Sequence, residues 1–131
     1  MRIVRFSPIE SAKLGNDPLY GILENETINV LKGDPIYSGV NPTSIEVNLA
    51  EVRLLAPVIP RSKVVCVGKN YADHAKEMDS QVTEEPVIFL KPNTSVIGPN
   101  DLIQWPKMSE RVDFEGELAI VISRICKDVP K

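Results

Sequence analysis

Residues 63–78 read KVVCVGKNYADHAKEM, and this stretch decides the local structure in the middle of the chain. It starts with an apolar run that ends at Gly68, which is typical of a buried strand. Asn70 stands at the position of a helix N-cap, and the residues after it predict a helix of about two turns that reaches Met78. Because a helix this short is marginal alone, it depends on packing against its neighbours. The stretch therefore predicts a strand followed by a short helix.

The sequence before this stretch predicts short strands separated by turns. The strand candidates are short apolar or alternating runs, at residues 2–6, 19–23, 27–31 and 52–57. The second and third of them flank residues 24–26 and predict a hairpin. Residues 32–44 are rich in proline, glycine and polar turn residues, which indicates a loop. The prolines at 57 and 60 indicate a stiff connector, so we expect a β-rich N-terminal domain over 1–56 and a second domain over 57–131.

Further strands are expected in the second domain. Residues 87–90 predict a strand that stops before Pro92, and residues 95–101 predict a strand that enters a turn. Residues 113–122 predict a strand with a polar first half and an apolar second half. The expected fold class is therefore mainly β, of the α+β type, with one or two short helices.

Composition excludes several classes of protein. The 131 residues carry 15 Lys and Arg against 18 Asp and Glu, a formal net charge of −3. A mildly acidic chain is a poor ligand for nucleic acid, because phosphate contacts need a basic surface. No apolar run is long enough to span a membrane, and the N-terminus lacks the apolar region of a secretion signal. With only two cysteines and one histidine, we expect a cytoplasmic protein without a disulfide framework.

The most acidic motif is Asp113-Phe114-Glu115-Gly116-Glu117. In a strand, Glu115 and Glu117 would point to the same side, and an apolar run follows them directly. Two neighbouring carboxylates repel each other, and a hard divalent cation such as Mg²⁺ or Mn²⁺ would relieve that cost. A solvated strand end explains the same pattern, so the spacing alone leaves both interpretations open.

His74 and Glu77 form the second candidate pair. They lie at positions i and i+3 of the predicted helix and so on neighbouring parts of its surface. A carboxylate beside an imidazole fixes its tautomer and raises its basicity, which suits a general base for water. A weak ion pair on an exposed helix is the competing interpretation. Lys91 could meet a substrate carboxylate, although a lysine at a strand end is usually only solvated.

Three segments, taken together, resemble the fumarylacetoacetate hydrolase family. They are residues 65–78, residues 86–95 (PVIFLKPNTS) and residues 113–119 (DFEGELA), and they occur in the family's order. The resemblance covers about residues 57–131, while residues 1–56 resemble the short β-rich N-terminal domain of many bacterial members. It implies that the second domain is the start of the family's mixed β-roll.

The resemblance also implies roles for individual residues. Glu115 and Glu117 would ligate Mg²⁺ or Mn²⁺. His74, oriented by Glu77, would deprotonate the attacking water. Lys91 and Tyr71 are assigned to substrate binding. The implied reaction is hydrolysis of a C–C bond in an acylpyruvate or fumarylpyruvate-type diketo acid through a metal-bound enolate.

The same residues leave other functions open. Isomerisation of a 2-hydroxy-diene-dioate and decarboxylation of oxaloacetate also pass through an enolate, and His74 with Glu77 favours hydrolysis among the three. The resemblance further implies a homodimer and a third carboxylate ligand, an aspartate beyond Lys131. We therefore expect the chain to be the N-terminal portion of a longer enzyme. The alternative from another class is a non-catalytic assembly domain.

Overall fold

The structure is a computed structural model that describes residues 1–10, 14–77 and 85–130. The chain divides into two compact units. The first unit comprises Met1–Pro57 together with Gly98–Lys131, and the second unit comprises Val58–Ile97. None of the helices in the described part of the chain has the length and hydrophobicity that a membrane span requires.

The first unit is built on a five-stranded antiparallel sheet. Its strands are β1 (Arg2–Pro8), β2 (Leu19–Glu24), β3 (Thr27–Leu31), β4 (Pro42–Asn48) and β5 (Val52–Leu55). Their spatial order is β4-β3-β2-β1-β5, so neighbours along the chain are mostly neighbours in the sheet. The mainly β fold class is confirmed.

The hairpin between β2 and β3 is confirmed, with a shorter turn than the sequence suggests. Glu24 pairs with Thr27, which leaves Asn25 and Glu26 as the connecting residues. Asn25 adopts a left-handed backbone conformation, with φ at 53°. Asparagine tolerates that conformation better than most residues, which favours a tight turn here.

The prediction of a loop over residues 32–44 is wrong in part. A short helix, α1 (Pro35–Ser38), begins after Asp34, whose side chain accepts a hydrogen bond from the Ile36 amide at 2.9 Å. An N-cap aspartate and a proline in the first turn both favour a helix start. Strand β4 then occupies the end of the expected loop, because it pairs with β3 from Thr27 to Leu31. A 3₁₀ turn (Leu49–Glu51) joins β4 to β5.

In the described parts of the chain, the buried hydrophobic core lies in the first unit. Four buried residues form one cluster, Phe6, Ile28, Val30 and Val52. Phe6 and Ile28 are fully enclosed. Each of these residues belongs to a strand, so burial of apolar surface and pairing of the backbone support each other.

The second unit contains two antiparallel strands and one helix. Strand β6 (Lys63–Gly68) pairs in register with β7 (Val87–Pro92), and helix α2 (Ala72–Glu77) follows β6. Both strands and the helix are confirmed, and Met78 lies outside the described residues. The expectation of a buried β6 is wrong, since Val65 is 62% exposed. Two strands supply no further layer to cover the faces of the sheet.

The strand expected over residues 113–122 is also wrong, since these residues have no regular secondary structure. Leu118 is 82% exposed and Ile120 is 81% exposed. A strand is held by a ladder of hydrogen bonds to a neighbour, and in the part of the chain that the structure describes these residues join neither sheet. The strand expected from residue 95 is replaced by a second 3₁₀ turn, Asn93–Ser95, and irregular chain.

Candidate functional site

Helix α2 is placed by a sharp turn after β6. The strand ends at Gly68, and Lys69 takes a left-handed conformation with φ at 55°. This conformation redirects the chain within a few residues, since an extended strand and a helix need different backbone angles. Tyr71 precedes the helix and is exposed.

The backbone of α2 carries both members of the predicted catalytic pair. His74 and Glu77 are three residues apart in this helix, the spacing at which neighbouring positions share one side. Their side chains lie outside the described part of the structure, so the general-base assignment stays a prediction. On the same helix, Lys76 Nζ lies 3.9 Å from Asp73 Oδ1, an exposed ion pair of the kind that contributes little stability.

Lys91 is positioned by β7 and sits above an aromatic ring. It pairs with Val64 of β6, and Phe89, two residues earlier, is on the same face of the strand. The Lys91 Nζ lies 5.8 Å from the centroid of the Phe89 ring, within the range of a cation–π contact. Lys91 is exposed, so an anion can reach its ammonium group from solvent. Phe89 was not among the sequence-derived site residues, although the alternation of side chains along a strand could have revealed it.

The acidic motif lies in irregular chain of the first unit. Glu115 and Glu117 are both exposed. Asp113 is engaged elsewhere, because the Arg111 guanidinium contacts its two oxygens at 2.9 and 2.7 Å. The strand geometry that would put the two glutamates on one side is therefore not present.

The carboxylates of Glu115 and Glu117 are suitable ligands for a divalent cation. Oxygen donors of this type are the ligands that Mg²⁺ and Mn²⁺ select. Over the described ranges, however, His, Cys, Asp and Glu side chains form no group of three that could hold an ion. Glu115 and Glu117 supply two donors on an irregular backbone, so the metal assignment also stays a prediction.

The predicted site residues fall into two groups. Tyr71, His74, Glu77 and Lys91 belong to the second unit. Glu115 and Glu117 belong to the first unit. In the second unit, Tyr71 precedes helix α2, His74 and Glu77 lie on that helix, and Lys91 lies on β7. The two glutamates of the first unit are two residues apart in irregular chain.

Two family models match the chain, and together they cover nearly all of it. A model described as fumarylacetoacetate (FAA) hydrolase C-terminal matches residues 63–131. A model described as Rv2993c-like, N-terminal, matches residues 1–57. The first match contains every residue that we assigned to the candidate site.

Individual relatives agree with these matches. Protein Rv2993c of Mycobacterium tuberculosis is 66% identical over 82 residues, which are 63% of this chain and 31% of that protein. The human mitochondrial oxaloacetate tautomerase FAHD2A is 49% identical over 80 residues, which are 61% of this chain and 26% of the relative.

A solved structure agrees as well. The crystal structure of 5-carboxymethyl-2-hydroxymuconate delta-isomerase from Mycobacterium smegmatis is similar with a TM-score of 0.65 and 37% identity. That match covers 84% of this chain and 40% of the other. The chain thus spans about a third of the length of the curated relatives it matches, between 24% and 38%.

Proposed function

The chain belongs to the fumarylacetoacetate hydrolase family, and we propose that it forms part of a metal-dependent enzyme that hydrolyses a C–C bond in a diketo acid. The substrate class is an acylpyruvate or fumarylpyruvate-type compound. The observation that carries the proposal is the family match over residues 63–131, which includes the helix with His74 and Glu77. Enzymes among the named relatives support catalysis as the general function.

His74 is the proposed general base. It would take a proton from the water that attacks the substrate carbonyl, and Glu77 would hold the imidazole in the required tautomer. An imidazole suits this step because its ordinary pKa lies near neutral pH. The helix position of both residues supports the pairing, since a spacing of three residues allows their side chains to meet.

Lys91 and Tyr71 are the proposed contacts to the substrate. An ammonium group recognises a carboxylate by charge, and diketo acids carry at least one carboxylate at neutral pH. The Phe89 ring under Lys91 supports this role, because it orders the lysine chain while the charge remains accessible. The Tyr71 hydroxyl would add a hydrogen-bond donor next to the helix start.

Glu115 and Glu117 would hold the divalent cation. When bound, Mg²⁺ or Mn²⁺ supplies positive charge that stabilises the enolate oxygen left by C–C cleavage. The two carboxylates would together balance the formal 2+ charge of the cation and so keep the site close to neutral.

Isomerisation or tautomerisation is the second candidate function. The named relatives include an oxaloacetate tautomerase and a delta-isomerase. Both activities move a proton next to a carbonyl, and neither needs an attacking water. In this alternative His74 would shuttle a proton on the substrate itself. Oxaloacetate decarboxylation fits the same residues, and a non-catalytic assembly domain is the remaining alternative.

Calorimetric titration of the 131-residue chain with Mn²⁺ tests the metal assignment. We expect binding that Glu115→Gln and Glu117→Gln each weaken by at least about tenfold, since each removes a charged oxygen ligand. Glu46→Gln is the matched control, because Glu46 is an exposed glutamate of β4 outside the motif. Equal affinities for the wild type and Glu115→Gln would contradict the assignment.

Turnover assays separate the candidate reactions. An acylpyruvate reports hydrolysis through its cleavage products, and oxaloacetate reports tautomerisation through the change in enol absorbance. If His74 activates water, His74→Ala in the complete enzyme removes hydrolysis far more than it weakens Mn²⁺ binding. Loss of both in parallel would contradict the role of His74, and turnover of oxaloacetate alone would favour the second candidate.

A further inference from the structure

The turn at Gly98–Asp101 is closed by a single carboxylate that makes two contacts. Asp101 Oδ2 accepts a hydrogen bond from the Gly98 amide at 2.8 Å, and the Asp101 amide donates to the Gly98 carbonyl at 3.2 Å. The other oxygen, Oδ1, lies 2.6 Å from an Arg53 guanidinium nitrogen. Asp101 therefore shapes its own turn and also contacts β5, far away in sequence.

The backbone of this turn lies directly against the end of β5. A Cβ added at Gly98 would lie 3.1 Å from the Ala56 amide nitrogen and 3.1 Å from Leu55 Cα. Such distances leave little room for any side chain, so glycine permits the close approach. We call the set Arg53, Leu55, Ala56, Gly98 and Asp101 the neck clamp.

The neck clamp stands where the chain leaves and re-enters the first unit. Pro57 is the last residue before the second unit, and Gly98 is the first residue after it. All residues of the neck clamp belong to the first unit, so it holds together the two ends of the segment Val58–Ile97. The β6–β7 ladder closes the same segment further in, from Lys63 opposite Pro92.

The neck clamp and the β6–β7 ladder both close the same segment, so each makes the other easier to form. Joining the ends of a loop costs conformational entropy, and a contact that already holds the ends together reduces the cost of the next contact. Within the second unit, none of the described residues is buried. A small sheet whose described residues form no buried core is marginal, so a contact that lowers the entropy cost of closing the segment adds to its stability.

We propose that the Arg53–Asp101 contact acts as a loop-closing device that stabilises the β6–β7 ladder, although it lies outside the unit that contains this ladder. The proposal does not depend on the reaction or on the metal. It differs from the ordinary behaviour of an exposed ion pair, which contributes little and acts only locally.

Hydrogen exchange followed by mass spectrometry on the full chain tests the proposal. Arg53→Gln removes the charge and leaves a polar side chain on an exposed position of β5. We expect amides of β6 and β7 to exchange about two to three times faster, because closing the ladder then no longer benefits from ends that are already joined. Amides of β2 and β3 should keep their wild-type rates.

Two further variants control for other effects. Arg53→Lys keeps a cationic donor and should retain the wild-type exchange of β6 and β7. Arg111→Gln breaks a similar exposed pair, Arg111–Asp113, which spans only two residues and closes no loop. Unchanged exchange in Arg53→Gln would overturn the proposal. An equal acceleration in β2 and β3, or the same effect from Arg111→Gln, would overturn it as well.

Discussion

Gly21 lies buried in β2, where the core leaves no space for a side chain. A Cβ there would overlap Ile28 Cγ2 and lie 3.3 Å from Phe6 Cε1. We expect Gly21→Ala to lower the free energy of unfolding by about 1–3 kcal/mol, the usual cost of overpacking a core. Urea denaturation measures this change. Gly116→Ala is the control, with nothing within 4 Å of its added Cβ, and an equal loss in both variants would contradict the explanation.

Tyr20 couples the same strand to the start of α1. Burial raises the pKa of Tyr20 above its ordinary value of 10.0, and the Asp34 carboxylate, which accepts a hydrogen bond from the hydroxyl at 3.1 Å, adds to the shift. Arg5, opposite Tyr20 in the sheet, lowers this pKa and offsets part of the effect. Because the folded pKa is the higher one, the contribution is fully present below pH 10 and disappears as the pH rises through the folded pKa.

The Tyr20→Phe variant tests this linkage. We expect it to lose about 0.5–1.5 kcal/mol of stability at pH 7, the net value of one hydrogen bond. Above about pH 10, the wild type should lose stability with pH more steeply than the variant. Urea denaturation from pH 7 to 11 measures both. Identical slopes for the wild type and Tyr20→Phe would contradict the linkage.

The 3₁₀ turn Leu49–Glu51, which joins β4 to β5, begins with a capping box formed by Asn48 and Glu51. Asn48 Oδ1 accepts from the Ala50 amide at 2.9 Å, and the Glu51 carboxylate accepts from the Asn48 amide at 3.3 Å. We expect Asn48→Ala to cost about 1 kcal/mol, and Asn48→Asp to keep most of the stability, since aspartate caps equally well. Thermal unfolding measures both. A similar loss in the two variants would contradict the role of the side-chain oxygen.

Among the secondary-structure elements, the sequence predicts some strands well and others poorly. β1, β2, β3, β5, β6 and β7 follow from short apolar or alternating runs, because such runs suit a half-covered sheet. β4 was missed, since Pro42 and the polar residues after it look like a loop until β3 offers hydrogen bonds. Residues 113–122 show the opposite error: they have strand composition, but the described structure gives them no ladder. Pairing partners are distant in sequence and leave no local signal.

In the candidate site too, features set by consecutive residues could be predicted from the sequence, whereas contacts between distant residues could not. The helix with His74 and Glu77 and the strand with Lys91 were predicted correctly, since each depends on a few consecutive residues. The contact between Arg53 and Asp101 could not be predicted, because 48 residues separate them. The sequence of residues 98–101 indicates a turn, but nothing in the sequence around Arg53 indicates that this residue contacts the turn.

For the molecule as a whole, burial is distributed unevenly between the two units. The buried hydrophobic residues, among those described, belong to the strands β1, β3 and β5 of the first unit. In the second unit, apolar side chains such as Ile88, which is 59% exposed, cover little of each other. Local stability follows buried contacts, so the two sheets should open separately, and the smaller one more often.

Hydrogen exchange in the wild type and in Phe6→Ala tests this separation. In the wild type, amides of β6 and β7 should be at least about tenfold less protected than those of β2 and β3. Phe6→Ala removes a fully buried ring and should cost about 3–5 kcal/mol in the first unit. Because β6 and β7 already open locally, their exchange should change little, while that of β2 and β3 accelerates strongly. A parallel acceleration in both sheets would mean that the chain unfolds as one cooperative unit, and the inference from burial would then be wrong.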